Sequence, residues 1–216
     1  MIWPLSLTDE QAMWRVQHAD DHAAFARLVE RWEIPIQRLC ARMTGDLHRA
    51  EDLAQEAFAR VFSKRHAYEP GGKFSTWLWR IALNLCRDEL RRRQRHPEHS
   101  LESARDPDGE AGAEDLAAST PSPAEAVAAL EQAEIVRRAL LRLPEHYRTV
   151  VVLRHYEGLK FNEIAEVLGI PDGTVKSRMS EGLSRLAVLL RECHVDAGAG
   201  TGSGAAMGRR PNHLRL

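Results

Sequence analysis

Four polar side chains recur at helical spacing along the segment "STWLWRIALNLCRDELRRRQR". At 100° per residue they form one stripe, which consists of Arg80, Asn84, Arg87 and Arg91. Guanidinium groups bind phosphates, and a forked amide can bind a base edge. Trp79 lies next to the stripe and could offer a ring on which an unstacked base lies. Because the stripe contains no acid, we predict a nucleic-acid surface; the alternative is a solvated arginine face beside a core tryptophan.

A second candidate site lies in "FNEIAEVLGIPDGTVKSRMSEGLSRL", where a short helix (162–168), Gly169 and a helix starting near Pro171 form a helix-turn-helix pattern. In such motifs the second helix enters the major groove by its N-terminal residues. A plain helical hairpin is the alternative.

Projection of that second helix separates a buried face from a DNA-facing one. The expected inward residues are Val175, Met179, Leu183, Leu186 and Leu190. The outward residues and their flanks are Thr174, Lys176, Ser177, Arg178, Glu181, Ser184 and Arg185. Glu181 stands in the middle of the DNA-facing side, where an acid would meet a polyanion. Gly182, at the edge of the buried side, costs roughly 1 kcal/mol of helix stability relative to alanine.

A third segment, "DLHRAEDLAQEAFARVFSKR", has an apolar face and an opposite line of small and polar residues. The expected buried residues are Ala50, Leu53, Ala54, Ala57, Phe58 and Val61. The opposite line consists of Asp52, Gln55, Glu56, Ala59 and Ser63. It would suit docking against a basic helix, although periodicity alone favours ordinary solvated surface.

Helix start and stop signals order these segments into an all-α fold. Thr8 with Gln11 forms a capping box, and Asp20 or Asp21 can cap a second helix. Pro35 fits the first turn of a helix that Gly45 ends. Further along, we expect a helix from Asp46 to about Arg65, a turn at "EPGG" (69–72), and a last helix capped by Ser75 and stopped by Pro97.

Charge is distributed in blocks although the net charge is −1. Residues 80–95 hold six arginines against two acids, whereas residues 98–134 hold ten acids against one base. The predicted organisation is two small helical domains, 8–96 and 125–193, joined by a flexible acidic linker at 97–124. A disordered tail is expected at 194–216.

The cysteines and the N-terminal segment indicate in which cellular compartment the protein is expected. Three widely spaced cysteines without a CxxC motif predict reduced thiols in a cytoplasmic protein. The segment "MIWPLSLTDEQ" lacks the pattern of a leader peptide, and no apolar stretch approaches 18 residues, so we expect no membrane insertion and no export.

Enzymatic chemistry is disfavoured. "HADDH" places His18 and His22 one turn apart, but no third ligand of fitting spacing follows, so neither a metal nor a cofactor is expected. No phosphate loop or nucleophile elbow is present in the sequence.

The motifs "DLAQEAFARVF", "FSTWLWRIALN" and "LPEHYRTVVVLRHYEGLKFNEIAEVLGIPDGTVKSR" closely resemble the bacterial sigma-70 family, in its two-domain extracytoplasmic-function (group 4) type. The resemblance implies a sigma-2-like helical bundle, a sigma-4-like helix-turn-helix domain, and a promoter-specificity subunit of RNA polymerase. It further implies that Asp52, Gln55 and Glu56 dock on the clamp helices of the β′ subunit and that the second domain meets the β flap.

The resemblance also assigns DNA contacts. The melted minus-ten strand would be held by Lys73, Trp77, Trp79, Arg80, Asn84, Arg87 and Arg91. The duplex minus-thirty-five element would be contacted by Thr174, Lys176, Ser177, Arg178, Ser180 and Glu181. An anti-sigma factor is a further candidate partner. Family members usually carry a basic residue where Glu181 stands, which puts the sequence preference of that helix in question.

The alternative hypothesis is a one-component helix-turn-helix regulator that binds duplex DNA as a dimer. The arginine stripe with Trp79 and Asn84 counts against it, because a protein that binds only duplex DNA needs no single-strand platform.

Overall fold

The computed structural model describes residues 7–69, 71–95 and 123–200, and the side chains of 123–126 and 195–200 fall outside that description. The helices are α1 (Asp9–Ala19), α2 (His22–Thr44), α3 (Leu47–Ser63), α4 (Phe74–Arg95), α5 (Pro123–Arg142), α6 (Glu145–His155), α7 (Phe161–Leu168) and α8 (Asp172–Gly200), with a 3-10 turn at Arg65–Ala67. These ranges contain no strand, and the predicted all-α fold is confirmed.

Most of the predicted helix caps form. Thr8 and Gln11 make the capping box of α1, and Asp21 caps α2 by accepting a hydrogen bond from the Ala24 N–H. Gly45 ends α2 at φ +77°, a left-handed conformation that favours glycine, and Asp46 caps α3. These short-range signals act through the residues next to them, which is why the sequence predicts them well.

Two of the predicted helix starts are wrong. Pro35 lies inside α2, which runs through it without a break. A proline in a helix interior costs about 3 kcal/mol, but the residues on both sides of it bury one continuous stripe that includes Leu28, Ile36 and Leu39. Burying each such side chain contributes about 1.5–3 kcal/mol, so continuing the helix is favoured. The last helix of this half begins at Phe74, not after Ser75, and the carboxylate of Glu10 accepts a hydrogen bond from the Phe74 N–H at 3.3 Å.

The N-terminal half, α1–α4, packs around the apolar face of α3. All six predicted buried residues of that helix are 6% exposed or less. Helix α4 contributes Leu78 and Leu85 as expected, whereas Trp77 and Ile81 are only partly buried. Because the apolar face of α4 packs against the core of this half, the stripe on the opposite face of the helix points outward.

The C-terminal half, α5–α8, contains the predicted helix-turn-helix, in which α7 ends at Gly169 (φ +65°) and α8 follows. Val175 and Met179 are buried as expected, but Leu183 is 41% exposed, so its predicted inward position is wrong. Gly182 takes that place. A Cβ atom there would lie 3.2 Å from Val151 Cγ2, and α8 therefore crosses α6 at close range.

The two halves also pack directly against each other, which the predicted tether did not anticipate. Their buried side chains form one continuous cluster. The Arg148 guanidinium, in the C-terminal half, donates to the Met43 carbonyl of α2, and the Leu141 side chain covers Gly45. The predicted linker lies almost wholly outside the described residues. Helix α8 continues to Gly200, past the predicted boundary at 193, and the rest of the tail lies outside the described residues.

Candidate nucleic-acid and polymerase interfaces

The α4 stripe forms a polar line on the outside of the N-terminal half. Arg80, Asn84 and Arg91 are exposed and Arg87 is half-buried, with its Nη1 donating to Asn84 Oδ1 at 3.4 Å. Lys73 precedes the helix and is exposed. The structure thus brings these five predicted residues onto one side of the chain.

Trp79 is buried, whereas the sequence predicted an accessible ring beside the stripe. Trp79 is 4% exposed and meets Trp32 edge-on, with ring centroids 5.5 Å apart. Its predicted role as a stacking platform is wrong for this arrangement of the chain, because a core ring has no open face for a base. Trp77 is half-buried against Tyr68, with centroids 5.4 Å apart.

A buried carboxylate that the sequence interpretation missed anchors the end of α4. Glu89 is 3% exposed and accepts hydrogen bonds from Arg92 and Arg93 at 2.9–3.1 Å, and Arg49 of α3 forms an ion pair with it at 3.1 Å. Burial alone would raise the pKa of Glu89, but the hydrogen bonds and charges of these arginines outweigh it and lower the pKa from 4.5 to about 2.

The contacts of Glu89 show that not every arginine in residues 80–95 is available to bind DNA. Arg93 also pairs with Asp46, the N-cap of α3, at 2.7 Å. Two of the six arginines counted in the sequence, Arg92 and Arg93, therefore bind the buried Glu89, and Arg93 also ties α4 to the start of α3. The spacing of Glu89 from Arg92 and Arg93, three and four residues, was the available signal.

The polar line of α3 lies on the surface. Asp52 and Gln55 are exposed and Glu56 is half-exposed. Asp52 pairs with Arg49 at 3.1 Å and Glu56 pairs with Arg60 at 2.7 Å. Exposed pairs of this kind contribute at most about 1 kcal/mol, so both carboxylates can exchange partners at little cost.

On α8 the predicted DNA-facing residues share the exposed side of the helix. Lys176, Ser177, Ser180 and Glu181 are exposed, while Thr174 and Arg178 are partly covered. The N-terminus of this helix, which a helix-turn-helix directs at DNA, therefore carries exposed hydroxyl and amine groups. The Lys176 amine pairs with Asp172 at 2.6 Å, and the Ser177 hydroxyl donates to the Thr174 carbonyl at 3.0 Å.

Glu181 has a partner of its own on α8. Its carboxylate accepts a hydrogen bond from Arg185 Nε at 2.6 Å, and that guanidinium lies 4.9 Å from the centre of the Tyr147 ring. An exposed i,i+4 pair contributes only about 0.3–0.5 kcal/mol. Glu181 can therefore leave Arg185 for another hydrogen-bond donor.

Other chemistry finds little support in the described part of the chain. No group of three or more metal-ligating side chains occurs there, and the His18 ring stacks on Trp14 at 4.6 Å. All three cysteines are free thiols. Within the described helices, none is both long and apolar enough to cross a bilayer.

Two family models match this chain: sigma-70 region 2 over residues 28–96, and sigma-70 region 4 over residues 133–186. The first covers α4 and the polar line of α3, and the second covers the helix-turn-helix. The chain is a sigma factor of the sigma-70 family.

Curated relatives agree with this assignment. The sigma factor is 39% identical over 173 residues to the ECF RNA polymerase sigma factor SigW of Bacillus subtilis, covering 80% of this chain and 91% of the relative. It is 36% identical over 191 residues to the RNA polymerase sigma-H factor of Pseudomonas aeruginosa, covering 85% and 96%. It is 34% identical over 176 residues to the ECF RNA polymerase sigma-E factor of Escherichia coli K12, covering 80% and 89%.

Solved structures share the fold. CnrH, in complex with the cytosolic domain of CnrY, aligns with a TM-score of 0.61 at 25% identity, over 85% of the sigma factor and 97% of CnrH. The sigma factor RpoE of Bartonella quintana, in complex with the anti-sigma factor NepR, aligns with a TM-score of 0.57 at 22% identity, over 77% and 96%. The protein is a promoter-specificity subunit of RNA polymerase of the ECF type, and the one-component regulator is not favoured.

Proposed function

We propose that this sigma factor directs initiation through three surfaces: α3 for core polymerase, the α4 stripe for the melted minus-ten strand, and α8 for the duplex minus-thirty-five element. One observation carries the proposal, namely that a single chain presents both a one-sided cationic stripe and an exposed helix-turn-helix. The polymerase catalyses RNA synthesis, while this chain provides promoter specificity and stabilises the opened strand. The chain acts at the nucleoid in the cytoplasm.

Core binding is assigned to Asp52, Gln55 and Glu56. Two carboxylates and an amide along one exposed helical line can accept and donate hydrogen bonds to a basic helix pair such as the β′ clamp helices. Their present partners are surface arginines held by weak pairs, so the exchange is inexpensive. The C-terminal half would meet the β flap.

Minus-ten binding is assigned to Lys73, Arg80, Asn84, Arg87 and Arg91, with Trp77 at their edge. The cations would neutralise phosphates of the separated strand, and the Asn84 amide would bind a base edge. Replacing one phosphate-binding cation with a neutral residue should reduce the salt slope of binding by about 0.7–0.9. Trp79 does not belong to this set, because its ring is buried.

Minus-thirty-five binding is assigned to Thr174, Lys176, Ser177, Arg178, Ser180 and Glu181 on α8. Glu181 is the distinctive member, since a carboxylate in the major groove can accept a hydrogen bond from the amino group of cytosine. Glu181→Arg separates recognition from repulsion: base recognition predicts a changed promoter preference, whereas simple repulsion predicts tighter binding at the same promoters.

A protein partner that holds the sigma factor inactive is proposed as well. CnrH, which shares the fold over most of both chains, was solved with the cytosolic domain of CnrY, and RpoE of Bartonella quintana with an anti-sigma factor. Purification of the chain from its native host, before and after stress, would reveal such a partner as a stoichiometric companion that dissociates on induction.

The separation of roles is tested with core polymerase and promoter DNA. Asp52→Lys should weaken holoenzyme formation, whereas Arg80→Ala should leave core binding intact and reduce open complexes, measured by permanganate footprinting. Glu30→Ala, an exposed acid on α2, is the control and should change neither. Equal loss of core binding and opening in Arg80→Ala would contradict the role assigned to α4.

A further inference from the structure

Arg185 is bonded to Glu181 on the exposed side of α8. Its Nε donates to Glu181 Oε1 at 2.6 Å, and about half of each side chain is exposed. Side chains of an α-helix lean toward the N-terminus of that helix, so the guanidinium of Arg185 lies over the preceding turn, at the level of Glu181. The guanidinium is therefore displaced toward the end of α8 that a helix-turn-helix inserts into the major groove.

The Tyr147 ring of α6 contacts the same guanidinium. Arg185 Cζ lies 4.9 Å from the centre of that ring, within the roughly 6 Å over which an aromatic face attracts a cation. This contact depends on Gly182, where an added Cβ atom would lie 3.4 Å from Tyr147 Cβ and 3.2 Å from Val151 Cγ2. The close crossing of α6 and α8 thus brings the ring to Arg185, and two contacts set the orientation of the guanidinium.

The bond between Glu181 and Arg185 uses only part of the hydrogen-bonding capacity of each side chain. It takes one donor, Nε, and one acceptor, Oε1. A guanidinium has further N–H donors on its two Nη atoms, and a carboxylate has a second oxygen acceptor. Because both side chains are about half exposed, a ligand in the groove can reach the remaining donors and the second oxygen.

The donors and acceptors of the Glu181–Arg185 pair are complementary to the major-groove edge of a C·G base pair. That edge presents the amino group of cytosine as a donor beside O6 and N7 of guanine as acceptors. A carboxylate accepts from the cytosine amino group, and an arginine donates to guanine O6 and N7 together. An A·T pair offers only one acceptor and a methyl group on thymine, so it does not satisfy an arginine in the same way.

We propose that Glu181 and Arg185 act as one unit that reads a single C·G base pair of the minus-thirty-five element, with Tyr147 as a positioning residue. Arg185 donates to guanine from its Nη groups, Glu181 accepts from the cytosine amino group, and the bond between the two side chains persists on DNA. The opposite charges of the pair cancel, so the acid does not add net repulsion of phosphates. The inference rests on the proposed minus-thirty-five role of α8 and names the base pair that this helix reads.

The test uses holoenzyme assembled from the full chain and core polymerase, and a randomised duplex DNA library long enough to span both promoter elements. Bound DNA is selected and sequenced, which gives the base preference at each position of the upstream element. The variants are E181A and R185A. The matched control is R191A, which removes the same charge from an exposed arginine of α8 whose described hydrogen bond goes to the Ala187 carbonyl.

We expect a C·G preference at one position in the wild type that falls about five- to a hundredfold in both E181A and R185A and is kept in R191A. Loss at two different positions would overturn the shared reading of one base pair. Equal weakening on all sequences in R185A would show a phosphate contact only and would overturn it too, as would a preference in R185A equal to that in R191A.

Tyr147 is tested by the pair Y147L and Y147F, of which only the second keeps an aromatic ring beside Arg185. Y147L should lower the C·G preference at the same position about two- to fivefold, and Y147F should keep it. A merely structural role of Tyr147 would weaken binding on all sequences alike, and this result, like an unchanged preference in Y147L, would contradict its positioning role.

The variants K176A and R178A distinguish the failure of this inference from that of the proposed function. If they change binding at the upstream element while R185A behaves like R191A, α8 binds the element and the reading of C·G by Glu181 and Arg185 fails. If none of these variants changes binding or base preference at the upstream element, the minus-thirty-five role of α8 itself fails.

Discussion

Replacing Glu89 with glutamine should destabilise the chain by about 3 kcal/mol at pH 7. The lowering of the Glu89 pKa from 4.5 to about 2 means that the folded chain favours the ionised carboxylate by that amount. Glutamine keeps the shape of the side chain but not its charge, and it leaves Arg49, Arg92 and Arg93 without their shared carboxylate. Breaking a buried charge cluster from one side typically costs about 3–5 kcal/mol, which agrees in scale.

The pH dependence of this destabilisation identifies its cause. A carboxylate with a lowered pKa contributes stability that is complete above its ordinary value of 4.5 and is lost as pH falls through about 2. The difference between wild type and Glu89→Gln should therefore shrink from about 3 kcal/mol at pH 7 to about 1.4 kcal/mol at pH 3. Urea unfolding monitored by circular dichroism at both pH values measures it.

The neighbouring acid supplies the control. Asp88 is 62% exposed and lies 3.8 Å from Arg91, so Asp88→Asn should change the free energy of unfolding by less than about 0.5 kcal/mol. A destabilisation in Glu89→Gln that is as small as in Asp88→Asn, or that is the same at pH 7 and pH 3, would refute the assignment of Glu89 as a charge anchor.

Three further outcomes are expected. Gly182→Leu should lose about 1–3 kcal/mol in urea unfolding, although leucine is the better helix former, because Val151 Cγ2 already lies 3.2 Å from the Cβ position; a stabilised variant would contradict the close crossing. Pro35→Ala should raise the stability by about 1 kcal/mol or more, since it restores a helical hydrogen bond within α2, and a lower melting temperature would speak against this. Burial raises the pKa of Glu157 to about 7 against the opposing charges of Arg42 and Arg38, so the folded chain binds a proton that the unfolded chain releases. The free energy of unfolding should therefore fall by about 1.4 kcal/mol from pH 6 to pH 8 in wild type relative to Glu157→Gln, measured by urea unfolding, whereas a stability difference that rises with pH in this window would be inconsistent with this burial.

Local patterns predicted those elements whose causes lie within a few residues. The caps at Thr8, Asp21 and Asp46, the end of α2 at Gly45 and the buried face of α3 follow from side chains that act on their own helix. The helix-turn-helix belongs to the same group, because Gly169 and the apolar spacing around it fix the turn.

Features that depend on packing between helices escaped prediction. Periodicity placed Leu183 inward, but the close crossing of α6 and α8 at Gly182 turns that side chain outward. Trp79 was expected beside the stripe, and it packs on Trp32, a residue 47 positions away. The number of arginines in a segment does not show which of them pair with a buried carboxylate, and Arg93 is one that does. Ion pairs between the halves, such as Lys73 with Glu163, leave no short-range trace in the sequence.

The family assignment, and not the fold, favours one of the two alternatives left open for α3. Asp52 and Gln55 are exposed, which ordinary surface and a docking site would both require. Only membership of the sigma-70 family favours the docking role over solvated surface, and that role remains a prediction to be tested with core polymerase.

Promoter-specific initiation by this chain is tested by run-off transcription from a genomic fragment library, with core polymerase in the presence and absence of the chain. We expect discrete transcripts that require the chain, whose start sites share upstream elements, and whose yield falls with Arg80→Ala. Absence of any transcript that depends on the chain, combined with tight binding of the chain alone to a palindromic duplex, would contradict this role of the chain.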